Sequence, residues 1–293
     1  MNIYSAISAN KWKTWAIMAL FVIFATTLSY VYATASGYDI TFAILILLIS
    51  IATSIGSFFY SDKIVLSASG AKPVSEADSP QLYHIVENLT IATGMLMPKI
   101  YTIHDPSPNA FATGRDPKHA VIAVTTGLLQ KLNKAELEGV IAHELSHVKN
   151  YDIRLMAIVV VLVGFVVILA DIFMRSMWYG GDRKKGGEIF ILLGIVFALL
   201  SPVIATLIQL AVSRKREFLA DASGVLITRY PEGLANALEK IAADPHPVRD
   251  ASNATAHLYI ENPFKGKTKG AWFASLFNTH PPVEERIKLL RSM

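Results

Sequence analysis

His143-Glu144-Leu145-Ser146-His147 is the stretch of this 293-residue chain with the clearest chemistry. Two histidines four positions apart share one face of a helix, so their imidazoles can meet on one metal ion. Glu144 lies one step round the helix. Its carboxylate therefore falls beside the water that the metal activates, not on the metal itself. That position suits a general base. Zinc brings the pKa of its water to about 7, and the carboxylate takes the proton as the oxygen attacks a carbonyl. Zinc hydrolases with three protein ligands keep a fourth position open, so a third ligand must come from elsewhere in the chain. Glu217, within Arg214-Lys215-Arg216-Glu217-Phe218-Leu219-Ala220-Asp221, is the candidate. Asp221 follows four residues later on the same face, where it can accept a hydrogen bond from the second ring nitrogen of a ligand histidine. The alternative is that Glu217 and Asp221 pair only with the neighbouring Arg and Lys side chains.

These residues need elements to hold them, and the composition restricts what those elements are. Hydrophobic residues make up 53% of the chain, charged residues 17%, and there is no cysteine. An ordinary soluble domain carries about 25% charged residues. The chain is too apolar for that class and far too apolar for disorder. The absence of cysteine excludes a disulfide scaffold, an iron–sulfur centre and any thiolate-ligated zinc. The net charge of +4 raises nucleic acid as a partner, but the basic residues flank apolar segments, which argues against it.

Four segments are long and apolar enough to cross a bilayer, which takes about 20 residues. They are Trp15–Tyr32, Ile40–Tyr60, Leu155–Met174 and Ile189–Val212. Short loops pair them into two hairpins. The resulting organisation is residues 1–60 as an N-terminal transmembrane hairpin, 61–154 as the first half of a catalytic domain, 155–212 as a second hairpin and 213–293 as the second half. Both termini and both halves then share one side. Lys11, Lys13, Lys63, Lys149, Arg154, Arg214, Lys215 and Arg216 lie near the membrane on that side, which the positive-inside rule makes cytoplasmic. Arg175, Arg183, Lys184 and Lys185 sit on the opposite side and run against the rule. Lys11 and Lys13 before an apolar run, with Ala33-Thr34-Ala35 after it, raise a cleaved signal peptide. The run is too long, and a second span follows at once.

Between the hairpins, the pattern predicts a helix over Pro80–Thr93, a strand over Lys99–His104, a β-hairpin of Asn109–Thr113 and Ala120–Thr125, and a helix from Lys134 to about Asn150. Asn133 and Glu136 form a capping-box pair at the start of the H-E-x-x-H helix. Helices over Ser213–Thr228, Pro231–Ala243 and Pro282–Leu290 follow the last span. Asp244–Ser275 is loop-rich and long enough to be a lid. Asp171, inside a span, reads as an interface residue, and Lys265–Lys269 as a basic loop. His84, His104, His119, His246 and His257 lack ligand spacing.

H-E-x-x-H, two apolar spans and then R-E-F-x-A-D resemble the integral-membrane gluzincin proteases, the family that contains the CaaX-prenyl endopeptidases. Asn109-Ala110-Phe111-Ala112-Thr113-Gly114, Thr279-His280-Pro281-Pro282 and the chain length resemble its bacterial HtpX-type heat-shock branch in particular. The resemblance runs over essentially the whole chain. It implies a mainly α-helical integral membrane protein with four transmembrane helices in two hairpins. It also implies a zincin-like α+β catalytic domain with a small antiparallel β-sheet. One zinc ion per chain is implied, held by His143, His147 and Glu217 with Glu144 as base. The activity implied is endoproteolytic quality control of misfolded membrane proteins or unfolded polypeptides at the cytoplasmic face of the inner membrane, as part of a stress response. Prenyl-protein processing and a non-catalytic metal-binding scaffold are the alternatives. In such relatives a His and the Arg six residues later lie at the active site. Here these are His280 and Arg286, the latter a cation for the tetrahedral oxyanion. Asn109, Ala110, Phe111 and Ala112 would bind substrate as an added β-strand.

Overall fold

The computed structural model describes residues 3–36, 39–179, 214–249, 251, 255–264 and 281–293. The expected fourth span Ile189–Val212, the loop bases Arg183, Lys184 and Lys185, the Lys265–Lys269 run and His280 lie outside the described residues.

Two long helices open the chain, α1 (Ile3–Ser36) and α2 (Ile40–Ala68). Asp39 caps α2, accepting from the Thr41 amide. The packing of α2 is the reverse of a soluble helix. Ser50, Ser54, Ser57 and Ser61 face inward, while Ile44, Leu45, Leu48, Ile55 and Phe59 are exposed. Small residues inside and large aliphatic ones outside suit a helix whose solvent is lipid. Among the described residues, Ile40–Ala68 is the one helix long and apolar enough to cross a membrane by length and composition. The third expected span falls within α6 (Asp152–Tyr179), which packs against α1 and α2. Phe21 of α1 meets Phe165 of α6 edge-on at 5.6 Å between ring centres.

The catalytic half is built on a sheet of β1 (Lys72–Pro73), β2 (Lys99–Ile103), β3 (Ala110–Thr113) and β4 (Val121–Thr125), in the order β1-β2-β4-β3. β3 and β4 form the expected antiparallel hairpin. The sheet as a whole corrects the antiparallel expectation, because β2 runs parallel to β4. The hairpin folds back so that β4, not β3, enters beside β2. β4 is then central and covered on both faces, and Val121-Ile122-Ala123-Val124 is a continuous buried apolar run of the kind parallel pairing favours.

Each face of the sheet has its own partner. Ile100, Ala110, Ala112, Ile122 and Val124 pack with α3 (Pro80–Thr93), α4 (Thr126–Lys131), α5 (Lys134–Lys149) and α8 (Pro231–Ala243). Phe111, Val121 and Ala123 turn the other way, onto Val65 and Leu66 of α2 and Met156 and Val160 of α6. α2 and α6 therefore form the floor under the sheet. α7 (Arg214–Thr228) and α9 (Val283–Leu290) complete the other side.

Two glycines set how closely the helices reach α5. A β-carbon on Gly139 would stand 2.7 Å from the Leu234 amide nitrogen of α8. One on Gly224 would stand 3.2 Å from the His143 nitrogen. The first contact is with backbone, which has no rotamer to yield. Gly139→Ala gains about 1 kcal/mol of helix propensity, but overpacking costs about 1–3 kcal/mol. The expected result is net destabilisation, read as a lower thermal midpoint of the detergent-solubilised protein.

Candidate active site

α5 carries His143, Glu144 and His147 in the middle of the fold. Both halves of its capping box are present: the Glu136 amide donates to Asn133 Oδ1 at 3.0 Å, and the Asn133 amide to Glu136 Oε2 at 2.9 Å. The helix is thereby fixed in register before the catalytic turn. The neighbouring α7 brings Glu217 to the same point. His143 Nε2 and His147 Nε2 are 3.2 Å apart, and the two carboxylate oxygens of Glu217 lie 3.8 Å from the first and 3.5 Å from the second. All three side chains are buried and form the metal-competent group of the described residues.

Tautomers decide what that group can hold. His143 Nδ1 lies 2.8 Å from Asp221 Oδ1, a close polar contact whose angle is too bent for a regular hydrogen bond. His147 Nδ1 lies 3.0 Å from Asp152 Oδ2. A carboxylate only accepts, so each Nδ1 carries the proton and each Nε2 turns a lone pair inward. Two lone pairs and a carboxylate converging on one point call for a cation. A proton answers the same field. Burial pushes His147 down, but its hydrogen bond to Asp152 and the charges of Glu217, Asp152 and Glu144 outweigh it and hold the ring up at about 9. The spacing also fits zinc: ligand bonds of about 2.0–2.1 Å at tetrahedral angles put neighbouring ligand atoms about 3.3–3.4 Å apart. The observed 3.2, 3.5 and 3.8 Å straddle that value.

Glu144 is buried beside this group and accepts a hydrogen bond from the Ala112 backbone of β3. Desolvation pushes its carboxyl upward, and the Glu217 charge adds to this against the pull of the two histidines. Arg286 of α9 is 1% exposed. Its Nε and Nη2 donate to the two oxygens of Asp221 at 2.9 and 2.7 Å, and its Nη1 donates to the Ile260 carbonyl at 3.1 Å. It stands behind Glu217, with Nη1 3.9 Å from Oε2.

Residues 76–293 match the profile of Peptidase family M48. The chain belongs to this family. It is 47% identical to the Protease HtpX homolog of Dictyoglomus thermophilum over 293 residues, covering 99% of this chain and 94% of that protein. It is 45% identical to the Protease HtpX homolog of Tropheryma whipplei (strain Twist) over 291 residues, covering 99% and 98%. Its fold resembles the crystal structure of S. mikatae Ste24p, with a TM-score of 0.50 at 19% identity. That match covers 95% of this chain and 66% of the other. The chain is accordingly a membrane metalloprotease of the M48 family, with a mainly helical fold around a small mixed sheet.

Within this M48 fold the expected substrate residues Asn109–Ala112 lie along β3, at the sheet's edge. The outward edge is already engaged. Ala110 O accepts from the Ile260 amide at 3.0 Å, and Asn109 Nδ2 donates to the Glu261 carbonyl at 3.1 Å. The remaining histidines have local partners or face solvent: His119 meets Asp116, His246 meets Asp244, His84 lies near Glu76 and Glu87, and His104 is exposed. His257 is buried against the Met156 carbonyl.

Asp152 escaped the sequence reading. It stands five residues after His147 at the head of an apolar helix, where a lone charge reads as a membrane-boundary residue. Its real place depends on Tyr151, whose φ of 61° breaks the helix. That conformation costs an L-residue roughly 1–2 kcal/mol. It ends α5 and turns Asp152 back beneath His147.

The Asp221–Arg286 pair has a pH signature. Burial raises the Asp221 carboxyl, but the Arg286 charge and hydrogen bonds more than reverse this and bring it down to about 2. A depressed carboxylate stabilises the fold above its unfolded pKa of about 3.9 and loses that contribution as pH falls through the folded value. The thermal midpoint of the wild type should fall between pH 4 and pH 2. Asp221→Ala takes from the buried Arg286 the carboxylate that accepts both Nε and Nη2, a loss of about 3–5 kcal/mol. It should melt lower at pH 7 and change less over the acid window.

Proposed function

We propose that this chain is a zinc endopeptidase that cleaves misfolded or damaged membrane proteins and unfolded polypeptides at the cytoplasmic face of the cell membrane. The observation that carries the reading is the meeting of two imidazole Nε2 atoms 3.2 Å apart, with the Glu217 carboxylate facing both. His143, His147 and Glu217 are the ligands of one zinc ion, and Asp221 and Asp152 orient the two histidines. Zinc held there would polarise a peptide carbonyl and bring the pKa of water from about 15.7 to about 7.

The chain's own groups carry the proton and the substrate. Glu144 takes the proton of the attacking water on its carboxylate and delivers it to the amine nitrogen as the C–N bond breaks. Its raised pKa suits a group that must hold a proton briefly at neutral pH. β3 receives the peptide as an added strand, which must displace the Ile260 amide from Ala110 O. Main-chain pairing of this kind gives affinity with little sequence preference. Arg286 Nη1 already holds one peptide carbonyl, that of Ile260, and is suited to hold a substrate carbonyl in its place. His280 is assigned to the same oxyanion side on sequence grounds.

The proposed topology is four spans in two hairpins, with residues 61–154 and 213–293 forming one catalytic unit on the cytoplasmic side. A girdle of rings and cations at the ends of the apolar helices supports the level of the bilayer surface. Trp12 is 73% exposed, Trp15 stacks on Phe58 at 5.6 Å, and the Arg154 guanidinium sits 5.3 Å from Phe58 and 5.0 Å from Tyr151. Aromatic rings and basic heads favour the headgroup layer. A site so close to this layer meets membrane proteins and their loops first.

The test uses the full chain in detergent with an unfolded membrane-protein substrate and, in parallel, a prenylated peptide. Glu144→Gln should keep zinc and lose about 10²–10⁴-fold in cleavage rate. Chelation should abolish wild-type cleavage. Equal cleavage by both proteins contradicts the role of Glu144, and turnover of the prenylated peptide alone contradicts the substrate class.

A further inference from the structure

Asn10 lies on α1, 142 residues from Asp152 in sequence, yet its Nδ2 is 2.6 Å from Asp152 Oδ1. The same nitrogen donates to the Asn150 carbonyl at 3.0 Å. An amide nitrogen carries two protons, and these two acceptors use both. The side chain is 3% exposed. The two acceptors flank Tyr151, the left-handed residue that turns α5 into α6. Asp152 gives its other oxygen to His147 Nδ1. One buried amide on the first apolar helix therefore spans the strained joint and fixes the carboxylate that orients a metal-ligating ring. Arg216 Nε approaches the same Asp152 oxygen less closely, at 3.4 Å.

We propose that Asn10 is a positioning residue of the metal site: by bridging Asn150 O and Asp152 Oδ1 it holds Asp152 against His147, so that the N-terminal helix governs how tightly the ion is kept. This inference rests on the zinc reading above. A carboxylate left without this restraint still accepts from His147, but Tyr151 is free to relax toward an ordinary helical conformation and carry Asp152 away. Outer partners of ligand histidines typically change metal affinity by about 10–100-fold.

The experiment is a zinc competition titration with a chromophoric chelator on the full chain in detergent, at pH 7. Wild type, Asn10→Ala, Asn10→Leu, Asp152→Asn and the Asn10→Ala/Asp152→Asn double variant are compared. Thr14→Ala is the packing control, because Thr14 is buried one turn further along α1 and its hydroxyl donates to the Asn10 carbonyl, away from Asp152 and the metal ligands. Melting of each zinc-free protein is followed alongside. Both Asn10 variants should bind zinc at least tenfold more weakly, the double variant should lose no more than Asp152→Asn alone, and Thr14→Ala should keep wild-type affinity. Leucine retains the bulk that alanine removes, so a protein that tolerates only one of them still gives an answer. Wild-type zinc affinity in an Asn10 variant, or losses that add in the double variant, would overturn the inference. So would zinc loss in Thr14→Ala equal to that in Asn10→Ala. Failure of the wild type itself to bind zinc would instead remove the zinc reading on which the inference stands.

Discussion

Two imidazole nitrogens with their lone pairs aimed at one point repel each other unless a positive charge lies between them. Holding them there is the constraint around which the catalytic half is organised. Each ring is fixed from behind by a carboxylate on its Nδ1, and each carboxylate is fixed in turn by something further out. Asp221 is held by the fork of Arg286, from the last helix. Asp152 is held by Asn10, from the first. The first and last helices thus each hold one of the two carboxylates that back the histidines of α5. The Arg286 charge keeps the buried Asp221 carboxylate ionised against the cost of its burial.

This arrangement explains the close fit around α5. Gly224 and Gly139 let α7 and α8 approach its backbone, and the approach of α7 brings Glu217 within reach of both rings. The sheet adds β3, whose Ala112 backbone bonds to Glu144. α2 and α6 form the floor beneath, and α2 turns its large aliphatic residues outward and its serines inward. The helix that carries the two histidines and the apolar helix α6 therefore share one joint, the turn at Tyr151.

Local features of the sequence proved the most legible. The capping box at Asn133, the helix Pro80–Thr93 and the β3–β4 hairpin follow from turn chemistry and periodicity within a few residues, and their expected ranges agree closely with the structure. The convergence of Glu217 on His143 and His147 was readable from ligand type and motif order, and the Asp221 contact with His143 from helical spacing. What spacing could not convey was long-range order. Nothing local places β4 beside β2, because a short hairpin fits on either side. Asp152 and Asn10 carry no motif. Their roles depend on one residue adopting φ of 61° and on two segments 142 positions apart packing together. Arg286 was singled out by resemblance alone, and its commitment to Asp221 appears only with the fold.

X-ray absorption at the zinc edge on the purified full chain tests the central claim most directly. One zinc per chain, four-coordinate, with two imidazoles and a carboxylate at about 2.0–2.2 Å, is the predicted result. The imidazole signal should be lost or halved when His147 is replaced, and the carboxylate contribution when Glu217 is. An absent metal, an all-oxygen octahedral environment, or a spectrum unchanged by Glu217→Ala would contradict the account.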